Sequence, residues 1–180
     1  MSAVIRLDLL LHETLSSPYH DLVTRPTGAA VRAGVLRALR EFPGIDAALD
    51  FSAVRVMDFS CADEVVAKLL AADDLPVHRV VLRGVSEDHA HAIENALNCH
   101  GLAVVAVIID SPRPRLLGCV TDDGRAVFAA LIPFGRSEAT PIADALSWPA
   151  ARAQEALQAL VRQRCVLAHP DATYELGAVA

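Results

Sequence analysis

Lysine is nearly missing from this chain of 180 residues: Lys68 is the only one, and aromatic side chains make up 4%. Long apolar runs are missing too. The longest, 102–109, has eight residues, too short for a bilayer span of about 20. The N-terminus carries Asp8 inside what would be the apolar part of a secretory leader, so none is expected. Cysteine pairs of the CxxC type are absent. Cys61, Cys99, Cys119 and Cys165 stand 38, 20 and 46 residues apart, which excludes a disulfide scaffold and predicts buried free thiols. His89 and His91 point to different faces of a helix, and Cys99-His100 adds no zinc-type spacing, so no metal is expected. A Gly-rich phosphate loop, GxSxG and HExxH are all lacking. Asp73-Asp74, just before Leu75-Pro76, read as a solvated turn. No catalytic residue and no cofactor are therefore expected. A net charge of -6 argues against sequence-wide attraction to nucleic acid or anionic membrane. With 53% apolar and 21% charged residues the composition is that of a folded protein, and the expectation is a soluble, cytoplasmic one.

The apolar pattern alternates between strand and helix along the first 109 residues. Segments 4–11, 19–24, 47–51, 54–57, 79–83 and 103–109 read as strands. Pro26-Thr27-Gly28 opens a helix with Val31, Val35, Ala38, Leu39 and Phe42 on one face, stopped by Pro43-Gly44. A second helix starts at Ser60 and buries Val65, Val66, Leu69 and Leu70. A third is capped by Ser86, with Glu87 and Asp88 in its first turn and Ala90, Ile93 and Leu97 inward. Gly84 ends the strand before it. This grammar predicts an α/β layer with helices packed on a sheet. The segment 110–114, with two prolines, reads as a linker between domains 1–109 and 115–180.

Beyond it come a short apolar stretch, 116–120, and a helix from Thr121-Asp122-Asp123-Gly124 through Ile132. Thr140-Pro141 starts a short helix, and Ser147-Trp148-Pro149 starts another with Ala153, Leu157, Leu160 and Val161 inward. A hairpin then pairs 165–168 with 173–176. Helices followed by a hairpin give the order of a winged helix-turn-helix.

Residues 48–60, Ala-Leu-Asp-Phe-Ser-Ala-Val-Arg-Val-Met-Asp-Phe-Ser, resemble the central signature of STAS domains, shared by sulfate transporter tails and anti-sigma factor antagonists. The match is closer to the STAS-like domain of unknown function, in which Ser-Phe-Ala-Asp-Glu opens a helix. Here that position holds Ser60-Cys61-Ala62-Asp63-Glu64, and Arg25-Pro26-Thr27-Gly28 also fits. The resemblance covers about residues 20–109. It implies a phospho-acceptor role for Ser60, modified by a partner kinase, and a contact region of Asp58, Cys61, Asp63 and Glu64. A phosphate at a helix start meets free N–H groups and the positive end of the helix dipole, although here three carboxylates surround it. The plainer reading makes Ser60 a helix cap boxed with Asp63. A thiol at Cys61 in that turn could also act as a nucleophile or redox sensor.

In the second domain the helix before the hairpin offers Arg152, Gln154, Gln158 and Arg162, with Arg164 just beyond, as side chains for phosphate and base contacts. Residues 115–180 hold six arginines against seven acids, so any such cationic surface is local. The first expectation is a non-enzymatic regulatory protein that binds another protein, a regulator or kinase, through the STAS-like module and is switched at Ser60. The alternative is a transcription regulator whose winged helix binds DNA. A homo-oligomer stays open.

Overall fold

β-branched and small apolar residues set the first layer. A computed structural model describes residues 2–15, 20–111 and 113–177. The chain runs β1 (Ser2–Arg6), α1 (Leu7–Leu15), β2 (Asp21–Leu22), α2 (Arg25–Leu39), β3 (Asp46–Asp50) and β4 (Val56–Met57). Next, α3 (Phe59–Ala62) continues through a π-helical turn (Asp63–Ala67) into α4 (Lys68–Leu70), followed by β5 (Arg79–Val85), α5 (Glu87–His100), β6 (Ala103–Ile108) and β7 (Pro114–Gly118). Five strands form one sheet in the order β1-β3-β5-β6-β7, parallel except at β7, and β2 pairs with β4 in a separate parallel ribbon. The fold is mixed α/β. The strand order never reverses, so the sheet has no switch point of the kind that opens a ligand crevice in doubly wound folds. One core joins Ile5, Leu49, Leu82, Ala106 and Leu117 of the sheet to Leu11, Val31, Val35, Leu39, Val66, Ile93 and Leu97 of the helices.

Several sequence expectations shift here. The strand expected over 4–11 ends at Arg6, because Leu7 and Leu11, one helical turn apart, are both buried in the core. Phe42 lies past the end of α2 and is exposed, so it is not part of that helix's apolar face. Gly84 does not stop its strand. It sits inside β5 at φ +63, where the register with β6 shifts, and a Cβ there would come 2.0 Å from Ser52 Oγ. Ser86 caps α5 as expected, accepting from His89 N at 3.1 Å.

The segment 110–114 is not a linker. It turns the chain from β6 into the antiparallel β7, with Asp110 at φ 64. Pro114 is tolerated because an edge strand need not donate from every residue. The chain divides instead into Met1–Cys119 and Val120–Ala180. Tyr19, the first residue of one expected strand, and Pro112 of the expected linker lie outside the described residues.

The second unit runs α6 (Asp122–Leu131), β8 (Arg136–Ser137), α7 (Ala139–Leu146), α8 (Ala150–Arg162), β9 (Leu167–Ala168) and β10 (Tyr174–Glu175). Its strands pair antiparallel in the order β8-β10-β9. The strand β8 has no counterpart in the sequence reading, since two residues make no pattern. Thr121 caps α6 by accepting from Gly124 N at 3.1 Å. Thr140 does not cap α7: Glu138 holds that position without a side-chain bond, and Pro141 fits within the first turn, whose N–H groups have no helical partner. Among the described residues no helix is long and apolar enough to cross a membrane.

Candidate functional site

The start of α3 is built by an aspartate. Asp58 is extended, and its Oδ1 accepts from Cys61 N at 2.8 Å while its Oδ2 accepts from Thr24 N at 3.0 Å. One carboxylate thus caps the helix and ties it to the segment after β2. Ser60 lies half-buried in the first turn and is not the cap. The Ser60–Asp63 capping box is therefore replaced by Asp58 alone, because the helix begins one residue earlier than the apolar pattern indicates. Thr24 is held at φ 76, ψ 140, a backbone state that costs a β-branched residue about 1–3 kcal/mol. Its carbonyl accepts from Cys61 Sγ at 3.0 Å and from Gly28 N at 3.1 Å.

Cys61 is fully buried. Burial, with the charge of Asp58 beside it, pushes the thiol up to about 12, so the nucleophile or redox reading has no thiolate to act with. A thiol-specific reagent is expected to titrate Cys99 and Cys119, both exposed, in the native protein, and to reach Cys61 and Cys165 only on unfolding. Fast labelling of Cys61, located by peptide mass, would contradict this.

Asp63 and Glu64, expected as exposed partner contacts, are buried in the π-helical turn. Among the described residues, three cationic side chains and one histidine reach them. Arg25 Nη1 lies 2.7 Å from Asp63 Oδ2 and 2.9 Å from Glu64 Oε1, and Arg32 Nη1 lies 3.0 Å from Glu64 Oε2. Lys68 Nζ is hydrogen-bonded to Glu64 and stands 3.5 Å from Asp63. His100 Nε2 lies 2.7 Å from Asp63 Oδ1. Burial on its own raises both carboxyl groups. Hydrogen bonds from Arg25 and His100 to Asp63, and from Lys68 and Arg25 to Glu64, outweigh it and hold both below the usual carboxylate range. The three carboxylates expected to surround Ser60 are thus neutralised or engaged. Gly28 lets α2 approach this closely: a Cβ there would stand 2.9 Å from Glu64 Cβ and 3.1 Å from Cys61 Cα.

The side chains that cover the acidic pair are the part that sequence reasoning missed. Arg25 and Arg32 are seven residues apart and share a helix face, and Glu64 to Lys68 is an i,i+4 pair, so a local signal existed for three of them. For His100, 37 residues from Asp63, there was none.

His89 lies behind the same region, buried on α5 with its ring 6.1 Å from that of Phe51. Desolvation lowers its pKa from the usual value, against the opposing effects of the Arg55 backbone and Asp88. Its folded pKa is below that in the unfolded chain, about 6.5. The unfolded state therefore takes up the proton first, and stability present above that value is lost as pH falls through it. Denaturation midpoints are expected to drop between pH 7 and 5.5, and His89→Gln should flatten that window. The lowered carboxyl groups of Asp63 and Glu64 act in a separate, more acidic window. An unchanged pH profile in His89→Gln would refute the assignment.

In the second unit, Arg152 is already engaged. It makes a two-pronged pair with Asp123 at 2.8 and 2.7 Å and stacks 3.9 Å over Trp148. Gln154, Gln158 and Arg162 are exposed on α8, with Glu155 among them, and Arg164 follows the helix at φ 58. Arg152, Glu155 and Arg162 line a cleft of about 350 Å³ with Thr121, Asp122 and Asp123. Three carboxylates against two guanidinium groups leave this cleft without an anion-binding balance.

Compared with known protein families, curated proteins and solved structures, the chain matches none.

Proposed function

We propose that the first unit is a STAS-like interaction module and that the chain is a non-enzymatic, cytoplasmic regulator with Ser60 as its phospho-acceptor. The observation that carries this reading is the pairing of the two carboxylates three and four residues after Ser60. Asp63 and Glu64, one turn further along the helix, are covered by Arg25, Arg32 and Lys68. A phosphate on Ser60 would meet guanidinium and ammonium groups rather than bare carboxylates, and would compete with Asp63 and Glu64 for Arg25. The signature 48–60 supports the same reading, because it runs from the end of β3 through β4 and the cap of α3 to Ser60. The partner is a regulatory protein or kinase.

Intact mass of protein isolated from its native host tests the switch. A phosphate-sized addition, removed by Ser60→Ala, is expected, together with altered partner capture by Ser60→Asp. No addition and an unaffected Ser60→Ala phenotype would leave Ser60 a first-turn residue only.

The second unit has the helix-strand-helix-helix-hairpin order of a winged helix, which favours DNA as the second reading. Gln154, Gln158 and Arg162 would face the duplex. Residues 120–180 hold five arginines against seven acids, and binding through phosphate neutralisation needs several free cations. Salt-dependent binding to random duplex decides: none at low salt is the expected result, and binding weakened by Arg162→Ala would establish the alternative.

A further inference from the structure

The ribbon of β2 and β4 carries an exposed apolar surface next to Ser60. Its register sets Asp21 beside Val56 and Leu22 beside Met57. Leu22 and Met57 point into the core, so Val56 and Val23, alternating with them, point out. Phe59 follows the cap residue. Val23, Val56 and Phe59 are 39%, 47% and 45% exposed. Three large apolar side chains on adjoining backbone are not scattered surface residues.

The charges bordering them are sorted by depth. Arg55, next to Val56, is 70% exposed, whereas its partner Asp21 is 24% exposed. Arg25, just beyond Val23, is 50% exposed over Asp63 at 10% and Glu64 at 5%. Arg32 and Lys68 follow the same rule, at 29% and 35% over the same carboxylates. In each of these pairs the cation is the outer member. In a chain of net charge -6, Arg25 and Arg55 thus flank these apolar side chains with outward guanidinium groups.

We infer that this surface docks an acidic protein segment bearing apolar anchors. The inference rests on the reading of the first unit as an interaction module and gives its partner a chemistry. Val23, Val56 and Phe59 supply the desolvated centre, and Arg25 and Arg55, each already oriented by a carboxylate, supply directional donors for further carboxylates at the rim. A nucleic-acid backbone would leave the two valines without a role. A lipid surface would not need guanidinium groups held in fixed orientation.

The test uses full-length, unphosphorylated protein and a labelled synthetic peptide in which glutamates alternate with leucine and phenylalanine. Its result is therefore independent of whether Ser60 is modified in the cell. Fluorescence anisotropy is expected to show salt-sensitive binding, and amide shift mapping to place it at residues 21–25 and 55–60. The same peptide with lysine for glutamate, or serine for its apolar residues, is expected not to bind. Phe59→Ser should weaken binding about tenfold, the effect of losing one central contact, and Arg55→Glu should weaken it about as much by setting like charge against the peptide at the rim. Phe134→Ser, which removes an exposed aromatic side chain of the second unit, should leave it unchanged. Absence of binding, equal binding of the lysine peptide, or shifts elsewhere would overturn the inference. So would preferential binding to phosphatidylserine vesicles or to duplex DNA.

Discussion

Glu64→Ala is expected to lower the unfolding free energy of the first unit by about 3 kcal/mol, the lower end of the cost of breaking a buried ion pair. Three cations reach this carboxylate, and removing it leaves them opposite Asp63 alone. The estimate sits at the lower end because Arg25, Arg32 and Lys68 are partly exposed and can rehydrate. Glu64→Gln keeps the shape and can still accept one hydrogen bond, so it should cost roughly half as much. The measurement is the urea midpoint by circular dichroism, with an unchanged slope showing that stability itself has moved. A loss below about 0.5 kcal/mol, the range of ordinary surface substitutions, would mean that the cluster is an exposed charge pattern with no structural role.

The second large effect belongs to Asp58. Asp58→Ala removes the cap of α3, worth about 1 kcal/mol, and the charged hydrogen bond to Thr24 N, worth about 1.5–3 kcal/mol. Release of the backbone strain at Thr24 returns part of this, so about 2–3 kcal/mol is expected. Ser60→Ala, by contrast, should change stability by less than about 0.5 kcal/mol, because the cap of the helix start is Asp58 and the backbone carbonyl of Ser60, which accepts from Asp63 N, is kept in the variant. The reverse ranking would restore Ser60 as the cap and remove the case for keeping it free for modification. The two substitutions thus separate the architectural residue of this turn from the proposed switch.

The alternation of strand and helix was legible because period-two and period-3.6 apolar patterns are local properties. So were the Ser86 cap and the buried face of α2 at Val31, Val35 and Leu39. The misreadings share one cause. Leu7 to Leu11 fits a strand or a helix equally well over so short a run, and the core decided. Residues 110–114 look like a linker because prolines break local structure, yet Pro114 begins an edge strand whose pairing is set by β6. The candidate site follows the same division. Ser60, Asp58, Cys61, Asp63 and Glu64 were singled out from sequence, but the cap at Asp58 and the burial of Cys61, Asp63 and Glu64 were not legible there.

The alternating period-two and period-3.6 apolar patterns determined the class of the chain, an α/β fold, and the lack of long apolar runs and of cysteine pairs argued only against a membrane span and a disulfide scaffold. Composition and local pattern suffice for that, since each residue's preference acts on its own neighbours. Tertiary structure alone decided that Asp58 caps, that Cys61 is a buried core thiol and that the acidic pair is roofed by Arg25, Arg32, Lys68 and His100. These outcomes depend on partners that stand 34 to 39 residues apart in the chain for Thr24–Asp58, Arg25–Glu64 and His100–Asp63. Burial and pairing set whether a charge faces solvent, and neither is visible until the helices have packed.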